Sequence, residues 1–271
     1  MALYKKALIL GATSGIGEAF AAKLVSEGTS VIVVGRRQEN LDRFVATHGS
    51  ELATAVRFDV SQLADIPSFA RSIIASHPDL DCVIVNSGIQ RAFDFSKPDT
   101  VDLDVLGLEL TTNYTSAVHL TTAFLPHLTA QAKGHLVFVS ATLALVPSLI
   151  RTPNYSASKA ALHTFIINLR QQLKEAGQHS PRIVEVFPPA VQTELHDTKH
   201  QPDLVNGGEI GMPLGPYIER MHEGLARGDE QFAVGAGEAL LREGGWEAQR
   251  MDMFQKQSAT IRAAFGKYLR K

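Results

Sequence analysis

Short apolar runs alternate along the chain with longer amphipathic segments, from the first residues to about Phe187. The apolar runs predict β-strands at 7–10, 30–34, 55–58, 82–85, 135–139 and 183–187. The segments between them have helical periodicity at 16–27, 38–48, 66–76, 113–132 and 156–175. The strand runs are continuously apolar, as expected where helices cover both faces of a parallel sheet. The pattern predicts an α/β fold with a doubly wound sheet.

The chain changes character after residue 187. Residues 190–217 combine prolines, glycines and mixed charges, and they predict a long loop with at most short helices. A last apolar run at 231–234 predicts a seventh strand, and 246–271 has the pattern of a terminal amphipathic helix. No internal repeat or linker divides the sequence, so we expect one domain over residues 1–271.

Composition and charge are those of an ordinary soluble globular protein. Of the 271 residues, 45% are hydrophobic and 20% are charged, and the formal net charge is −2. Without a basic run or stripe, the chain has no electrostatic footprint for nucleic acid. The uncharged stretches 110–132 and 136–150 are interrupted by polar residues and proline, so neither predicts a membrane helix. Cys82 is the only cysteine, which excludes an intramolecular disulfide and favours a reducing, cytoplasmic location.

The first predicted strand runs into a glycine-rich turn that opens a helix. Glycines permit a close approach of the backbone to a ligand, and free N–H groups at a helix N-terminus suit a pyrophosphate. The spacing G-x-x-x-G-x-G differs from the general dinucleotide fingerprint, and such turns also simply join strands to helices. Its place after the first strand of an α/β pattern favours a dinucleotide site. The predicted site residues here are Gly11, Thr13, Ser14, Gly15, Ile16 and Gly17.

Two arginines, Arg36 and Arg37, follow the second predicted strand. An acidic residue near this point would hold the ribose 2′-hydroxyl of NAD, and none is present. A guanidinium matches the 2′-phosphate of NADP in both charge and geometry. Two solvated arginines at the start of a helix are the alternative. Together with the glycine turn, the pair favours NADP(H) as the cofactor.

Two further strand ends have residues that suit a cofactor cleft. Asp59 and Val60 follow the third strand, and Asn86, Ser87 and Gly88 follow the fourth. Ligands of doubly wound sheets bind outside the carboxyl ends of the strands. Each segment is also compatible with an ordinary strand-to-helix cap.

The sharpest chemical signal is the pair Tyr155 and Lys159, four residues apart on a predicted helix. Such positions share one helix face, so the hydroxyl and the ammonium can meet in one site. A neighbouring cation favours phenolate, and we therefore expect Lys159 to lower the Tyr155 pKa. The same spacing is common on protein surfaces. Ser140 favours the catalytic interpretation, because it follows the fifth strand and can donate a hydrogen bond to a substrate oxygen.

In combination these features resemble the short-chain dehydrogenase/reductase family. The resemblance covers roughly residues 5 to 195, and it is specific because the motifs occur in the family's order and spacing. It rests on Gly11, Gly15, Gly17, Asn86, Ser87, Gly88, Asn113, Ser140, Tyr155 and Lys159. It implies a Rossmann-type domain of about seven mostly parallel strands. Pro189 departs from the family, which usually has glycine at this position beside the nicotinamide, and Ser87 replaces the usual alanine.

The resemblance also implies a role for each matched residue. Tyr155 would donate or accept the proton, Lys159 would bind the nicotinamide ribose, and Ser140 would polarise the substrate oxygen. Asn113 would hold a water that relays protons to Lys159. Asp59 would contact the adenine and Thr193 the carboxamide. The remaining predicted cleft residues are Asn86, Gly88, Pro188 and Val191.

We therefore expect an NADP(H)-dependent reductase of ketones or aldehydes, with Tyr155 as the general acid. An oxidative alcohol or steroid-type dehydrogenase and a non-catalytic NADP-binding regulator are the alternatives. The complete set of Ser140, Tyr155 and Lys159 argues against a regulator. The residues that follow Ser140 predict an apolar substrate pocket, which the loop 190–217 closes. They are Leu143, Leu145, Val146 and Leu149.

Two further expectations concern association and metals. The segments 113–132 and 160–173 are apolar around much of their circumference, and the corresponding helices form a dimer interface in the family. We expect a homodimer or homotetramer, with burial within one chain as the alternative. His196 and His200 have a spacing that could bind a metal on a helix, but no third ligand is near. We expect surface histidines and no metal.

Overall fold

The strands of the protein form one parallel sheet. The computed structural model describes residues 2–178 and 180–268. The strands are β1 (Lys6–Leu10), β2 (Ser30–Gly35), β3 (Ala53–Arg57), β4 (Cys82–Val85), β5 (His135–Val139), β6 (Arg182–Phe187) and β7 (Gln231–Ala233). Their order across the seven-stranded sheet is β3-β2-β1-β4-β5-β6-β7, and all neighbours are parallel. The predicted doubly wound α/β sheet is confirmed.

Helices connect the strands and cover both faces of the sheet. They are α1 (Gly15–Ser26), α2 (Gln38–His48), α3 (Ile66–Ser76), α4 (Leu103–Leu110), α5 (Ser116–Ala130), α6 (Pro153–Glu175), α7 (Leu214–Arg227), α8 (Glu238–Leu241) and α9 (Trp246–Phe265). Leu8 and Leu10 of β1 pack with residues of α3, α5 and α6, whereas Ala7 and Ile9 pack with α1, α2 and α7. Both faces of the strands are therefore buried, which explains their continuous apolar runs.

The strand order reverses beside β1. The chain builds from β1 outward to β2 and β3, and then crosses to β4 on the other side of β1. The loops that follow β1 and β4 therefore diverge and leave a crevice at the carboxyl ends of these strands. Gly11 and Asn86 begin the two loops, so the sheet topology itself places the predicted cofactor residues together.

The structure corrects several predicted boundaries. The segment predicted as one helix at 113–132 begins as a π-helical turn at Thr111–Thr115, and α5 proper starts at Ser116. The unpredicted α4 precedes it, capped by the Asp102 carboxylate, which accepts from two backbone N–H groups. The predicted loop 190–217 is shorter, because α7 begins at Leu214. The last helix, predicted over 246–271, ends at Phe265, and residues 269–271 lie outside the described part of the chain.

Candidate active site

The glycine turn between β1 and α1 leaves no room for side chains. Gly11 has φ +83°, and a Cβ there would lie 2.8 Å from the Ser87 backbone. A Cβ on Gly17 would lie 2.5 Å from Asn86 Nδ2 and closer still to the Gly11 oxygen. The Asn86 amide donates to that oxygen at 2.9 Å. The turn and the loop after β4 thus pack together and leave the backbone at the N-terminus of α1 bare, as a pyrophosphate requires.

The segment after β6 lies against this turn. A Cβ on Gly15 would meet the Thr193 side chain at 3.1 Å. Val191 is buried and forms an isolated parallel bridge with Met212. The Pro188 oxygen accepts from the Thr142 backbone N–H at 3.0 Å, which ties this segment to the loop that follows Ser140. The predicted residues after β6 therefore join the phosphate end of the crevice to its catalytic end.

Arg37 is built into the glycine turn. Its Nη2 donates to Ser14 Oγ at 2.6 Å and to Thr13 Oγ1 at 3.0 Å, and its Nη1 lies 2.7 Å from Glu194 Oε2. Burial would raise the pKa of Glu194, but hydrogen bonds from Arg37 and Ser14 outweigh it and the pKa is lowered. The Glu194 carboxylate is therefore anionic. It contacts Arg37 and Ser14, two residues that the sequence predicts to bind the phosphates of the cofactor.

Arg36 lies in a different environment from its neighbour. Its side chain is 64% exposed, and its nearest ionic partner is Asp59, at 3.7 Å. Asp59 Oδ1 also accepts from the backbone N–H and the hydroxyl of Ser61, which fixes the turn after β3. Of the two predicted phosphate ligands, Arg37 is therefore held in place by neighbouring side chains, and the Arg36 side chain is mostly exposed to solvent.

Two other predicted cofactor residues have apolar side chains that face the core. Val60 is buried in the apolar layer on the α3 side of the sheet, and Ile16 is partly buried on the other face.

The residues with predicted catalytic roles converge where β5 ends. Tyr155 and Lys159 lie on the first turns of α6, which begins at Pro153, a residue suited to that position because its φ is preset. Lys159 Nζ donates to the Val139 oxygen at 2.8 Å and lies 5.8 Å from the centroid of the Tyr155 ring. Ser140 is the next residue, and its Oγ is buried with no hydrogen-bond partner in the part of the chain that the structure describes. A substrate oxygen would supply that partner.

Asn113 joins the loop after β4 to α6. Its Nδ2 donates to the Ile89 oxygen at 2.9 Å and to Ser158 Oγ at 3.0 Å, and its Oδ1 accepts from the Ile89 N–H at 2.9 Å. The π-helical turn that contains it is a geometry often found at functional sites. A Cβ on Gly88 would lie 3.5 Å from Asn113 Oδ1 and 3.7 Å from Lys159 Nζ. Gly88 therefore keeps open the gap between the two.

The electrostatics of the site differ from the sequence-based expectation. Burial, and secondly the negative charge of Glu109, raise the pKa of Tyr155 above its ordinary value. Burial also lowers the pKa of Lys159 to about 8, and the charge of Glu185 acts in the opposite direction. The net shift of the Tyr155 pKa is therefore opposite in direction to the expected one, because desolvation of the phenol dominates. The phenol is protonated near neutral pH and can act as a proton donor.

Glu109 is a site residue that the sequence pattern did not indicate. It is fully buried in α4, and it accepts from the Asn154 side chain at 2.7 Å and from the Arg91 backbone N–H at 3.0 Å. Burial raises its own pKa. A carboxylate near Tyr155 is invisible from sequence, because α4 has a second acidic residue, Asp104, and no spacing shows which of the two is buried.

The loop after β6 is docked through polar side chains. Gln201 is buried and donates to Gln90 Oε1 at 2.9 Å, while Arg151 contacts both Gln201 and Asp203. His196 is also buried, 3.4 Å from Gln201 Nε2, so the prediction of a surface histidine is wrong at this position. Of the predicted apolar pocket residues, Leu145 is buried and Leu143 half-buried, whereas Val146 and Leu149 are exposed.

Residues 2–178 and 180–268 lack two structural features. These residues contain no group of three or more histidine, cysteine or acidic side chains placed to hold a metal ion. None of their helices has both the length and the apolar character needed to cross a membrane.

The chain belongs to the short-chain dehydrogenase family of oxidoreductases, whose sequence model matches residues 5–203. It is 32% identical over 225 residues to the uncharacterized oxidoreductase DltE of Bacillus subtilis (strain 168), which covers 83% of this chain and 86% of that protein. The family that the motifs predicted is thus confirmed.

Solved structures of the family share the fold. A short-chain dehydrogenase from Sphingobium yanoikuyae, in complex with NADPH, aligns with a TM-score of 0.76 at 21% identity and covers 93% of this chain and 95% of its own. A short chain dehydrogenase/reductase from Burkholderia phymatum, in complex with NAD, aligns with a TM-score of 0.66 at 22% identity over 82% and 79% of the two chains. At these identities the likeness shows the fold alone.

Proposed function

We propose that the protein is an NADP(H)-dependent reductase of ketones or aldehydes, with Tyr155 as general acid. The observations that carry the proposal concern two buried groups, one on α6 and one directly after β5. One is the buried Tyr155 phenol, whose pKa is raised, and the other is the Ser140 hydroxyl with no partner among the described residues. A carbonyl oxygen between them would accept a hydrogen bond from each, and both bonds strengthen as negative charge develops on that oxygen.

The chemistry divides between cofactor and protein. The nicotinamide, when bound, supplies the hydride that forms the new C–H bond at the carbonyl carbon. Tyr155 gives its proton to the oxygen, so a carbonyl becomes an alcohol, and Ser140 holds that oxygen in place. Lys159, directed by its bond to the Val139 oxygen, would hold the nicotinamide ribose. Asn113 would keep the loop after β4 in register with α6 through its bonds to Ile89 and Ser158.

The preference for NADP(H) over NAD(H) is proposed from Arg37. Its guanidinium lies at the glycine turn and donates to the hydroxyls of Thr13 and Ser14, and the carboxylate that it contacts, Glu194, comes from the loop after β6. A 2′-phosphate would replace Glu194 as the anion. Structural neighbours have been solved with NADPH and with NAD, so the preference is argued from Arg37 itself.

The first test is calorimetric titration of the whole chain with NADPH and with NADH. We expect NADPH to bind more tightly, and Arg37→Ala to lose most of that preference by weakening NADPH binding roughly 10- to 100-fold, the loss of one strong charge-assisted contact. Arg36→Ala is the matched control, because its side chain is largely exposed, and it should lose less. Glu194→Gln should tighten NADPH binding, since the phosphate no longer competes with a carboxylate.

Either of two results would overturn the cofactor assignment. If neither nucleotide binds, the glycine turn does not form a dinucleotide site. If NADPH binds no better than NADH and Arg37→Ala leaves their ratio unchanged, the NADP preference is wrong. A screen of carbonyl compounds follows only when NADPH binds, and we propose apolar substrates of moderate size because Leu143 and Leu145 lie close after Ser140.

We also propose that the chain forms a homo-oligomer. Leu103, Leu108 and Leu110 of α4 are exposed apolar side chains on a helix next to α6. Exposed apolar clusters of this kind mark association surfaces. Light scattering on a sizing column should give a mass of two or four chains of 29.4 kDa. A mass of one chain at micromolar concentration would contradict the proposal.

A further inference from the structure

A buried cluster of charged side chains lies one helical turn beyond Lys159. Its centre is His163 of α6, whose Nδ1 lies 2.7 Å from Glu185 Oε2 of β6. The other ring nitrogen, Nε2, lies 3.0 Å from Glu247 Oε1 of α9. All three side chains are 0% exposed. The mechanism proposed above uses none of them.

The geometry determines the protonation of His163. Carboxylates only accept hydrogen bonds, and a neutral imidazole can donate from one nitrogen but not from both. With a carboxylate oxygen within hydrogen-bond distance of each nitrogen, the ring satisfies both only as the imidazolium. Burial lowers the pKa of His163, but its hydrogen bonds to Glu185 and Glu247 outweigh burial and raise it. One buried cation is thus shared by two carboxylates.

Only one of the two carboxylate oxygens of Glu185 contacts His163. Its second oxygen, Oε1, is buried and has no hydrogen-bond partner among residues 2–178 and 180–268. The second oxygen of Glu247, Oε2, likewise has no hydrogen-bond partner among these residues, but it forms an ion pair with Arg250 of its own helix, whose Nε lies 3.0 Å away. Arg170 of α6 is the other cation nearby, and it donates to the Ile183 oxygen at 2.9 Å.

Glu185 is placed beside the anchoring point of the catalytic lysine. In the register of β5 and β6 it pairs with Phe138, the residue before Val139, whose oxygen accepts from Lys159 Nζ at 2.8 Å. Phe138 lies in the apolar layer on the α6 side of the sheet, so its partner in the register faces that helix as well. Few dipoles screen charges in such an interior, and one charge acts on another beyond contact distance.

We propose that Glu185 is a positioning residue for the reaction. Its carboxylate, held by His163 and through it by Glu247, supplies the negative charge that keeps the Lys159 ammonium charged and directed to the Val139 oxygen. The effect of Glu185 on the Lys159 pKa has the sign that this requires. Other ionisable groups surround Lys159 and the cluster. Tyr155 and Glu109 lie on the Lys159 side, and Arg170, Glu230 and Arg250 lie around the two carboxylates. The inference rests on the proposed function only in giving Lys159 a role in the reaction.

The experiment measures the Lys159 titration directly. The whole chain is labelled with ¹³C at lysine Cε, and the signal of Lys159 is assigned by its loss in Lys159→Arg. The wild-type midpoint should lie at about 8. Glu185→Gln should lower it by roughly one pH unit or more, as expected when a nearby opposite charge is lost. Glu185→Asp keeps the negative charge, so its Lys159 midpoint should lie close to that of the wild type.

Glu247→Gln is the matched control, because it removes a carboxylate from the same imidazole but from the far side, on α9. If the cluster only docks helices, Glu185→Gln and Glu247→Gln should both lower stability and leave the Lys159 midpoint unchanged. An unchanged midpoint in Glu185→Gln, or an equal shift in both variants, would overturn the proposal.

A second measurement covers the case in which Glu185→Gln does not fold. His163 and Lys159 are two cations that share the charge of Glu185, so removing the Lys159 charge leaves that carboxylate to stabilise the imidazolium alone. In Lys159→Met, which leaves the cluster intact, the ¹³C ring signal of His163 should titrate at a higher pH than in the wild type. An unchanged His163 midpoint would contradict the inference. Neither titration needs cofactor or substrate, so the result is independent of the nucleotide-binding test.

Discussion

Tyr155→Phe is expected to lower the turnover of any carbonyl substrate about 10²- to 10⁴-fold, the usual contribution of a general acid. The variant keeps the aromatic ring and its packing and removes only the oxygen that donates the proton. NADPH affinity should stay within a few-fold of the wild type, because the phosphate end of the crevice is unchanged. Steady-state kinetics and calorimetry on the same preparation separate the two effects.

Tyr4→Phe is the control for the loss of a buried phenol oxygen. Tyr4 is 4% exposed and packs edge-on against the His135 ring, before the start of β1 and therefore at the opposite end of the sheet from the site. Its substitution should leave turnover unchanged. Should Tyr155→Phe retain turnover within about ten-fold of the wild type, the assignment of the general acid would be wrong.

Gly17→Ala has the second large expected effect. The added Cβ would clash with the Gly11 carbonyl and lie 2.5 Å from Asn86 Nδ2. It would therefore disturb both the backbone of the turn and the Asn86 amide that donates to it. Overpacking of this kind costs about 1–3 kcal/mol, and here the strain falls on the turn that would bind the pyrophosphate. We expect a lower Tm and the loss of measurable NADPH binding, by thermal unfolding and calorimetry.

Gly215→Ala provides the comparison for the same chemical change in open space. Gly215 lies in α7, and a Cβ there has no neighbour within 4 Å. Helix propensity favours alanine there, so its stability should be equal to or higher than that of the wild type. If Gly17→Ala bound NADPH as tightly as Gly215→Ala does, the close packing of the glycine turn would not be the basis of nucleotide binding.

The sequence predicted the sheet and the principal site residues because each leaves a pattern. Buried parallel strands give continuous apolar runs, and the glycine turn and the Tyr155–Lys159 spacing are local motifs. The charged residues buried near the candidate site leave no such pattern. Glu185 occurs in the apolar run 183–187, and only the register with Phe138 shows that it faces α6. Glu109 likewise acts on Tyr155 through a fold that brings α4 against α6.

Arg36 and Arg37 show why adjacent identical residues were not distinguished. Both follow β2 and both carry the same charge, so sequence alone gives them equal claims to a phosphate. The structure separates them because Arg37 immediately precedes α2 and turns towards Thr13 and Ser14, while Arg36 turns towards Asp59. The sign of the Tyr155 shift was also missed, since desolvation depends on burial that no spacing reveals.

The cluster around His163 makes the last helix part of the structural unit that contains α6 and β6. The match to the family stops at residue 203, and sequence comparisons limited to that region would treat the last helix as a dispensable appendage. Glu247 belongs to that helix, yet its carboxylate is the second partner of the buried His163 imidazole, one helical turn from Lys159. A chimera that keeps residues 5–203 and exchanges the C-terminal segment would therefore leave one nitrogen of a buried imidazole without its carboxylate partner. Domain grafts and truncations of this protein should be cut after α9, not before it.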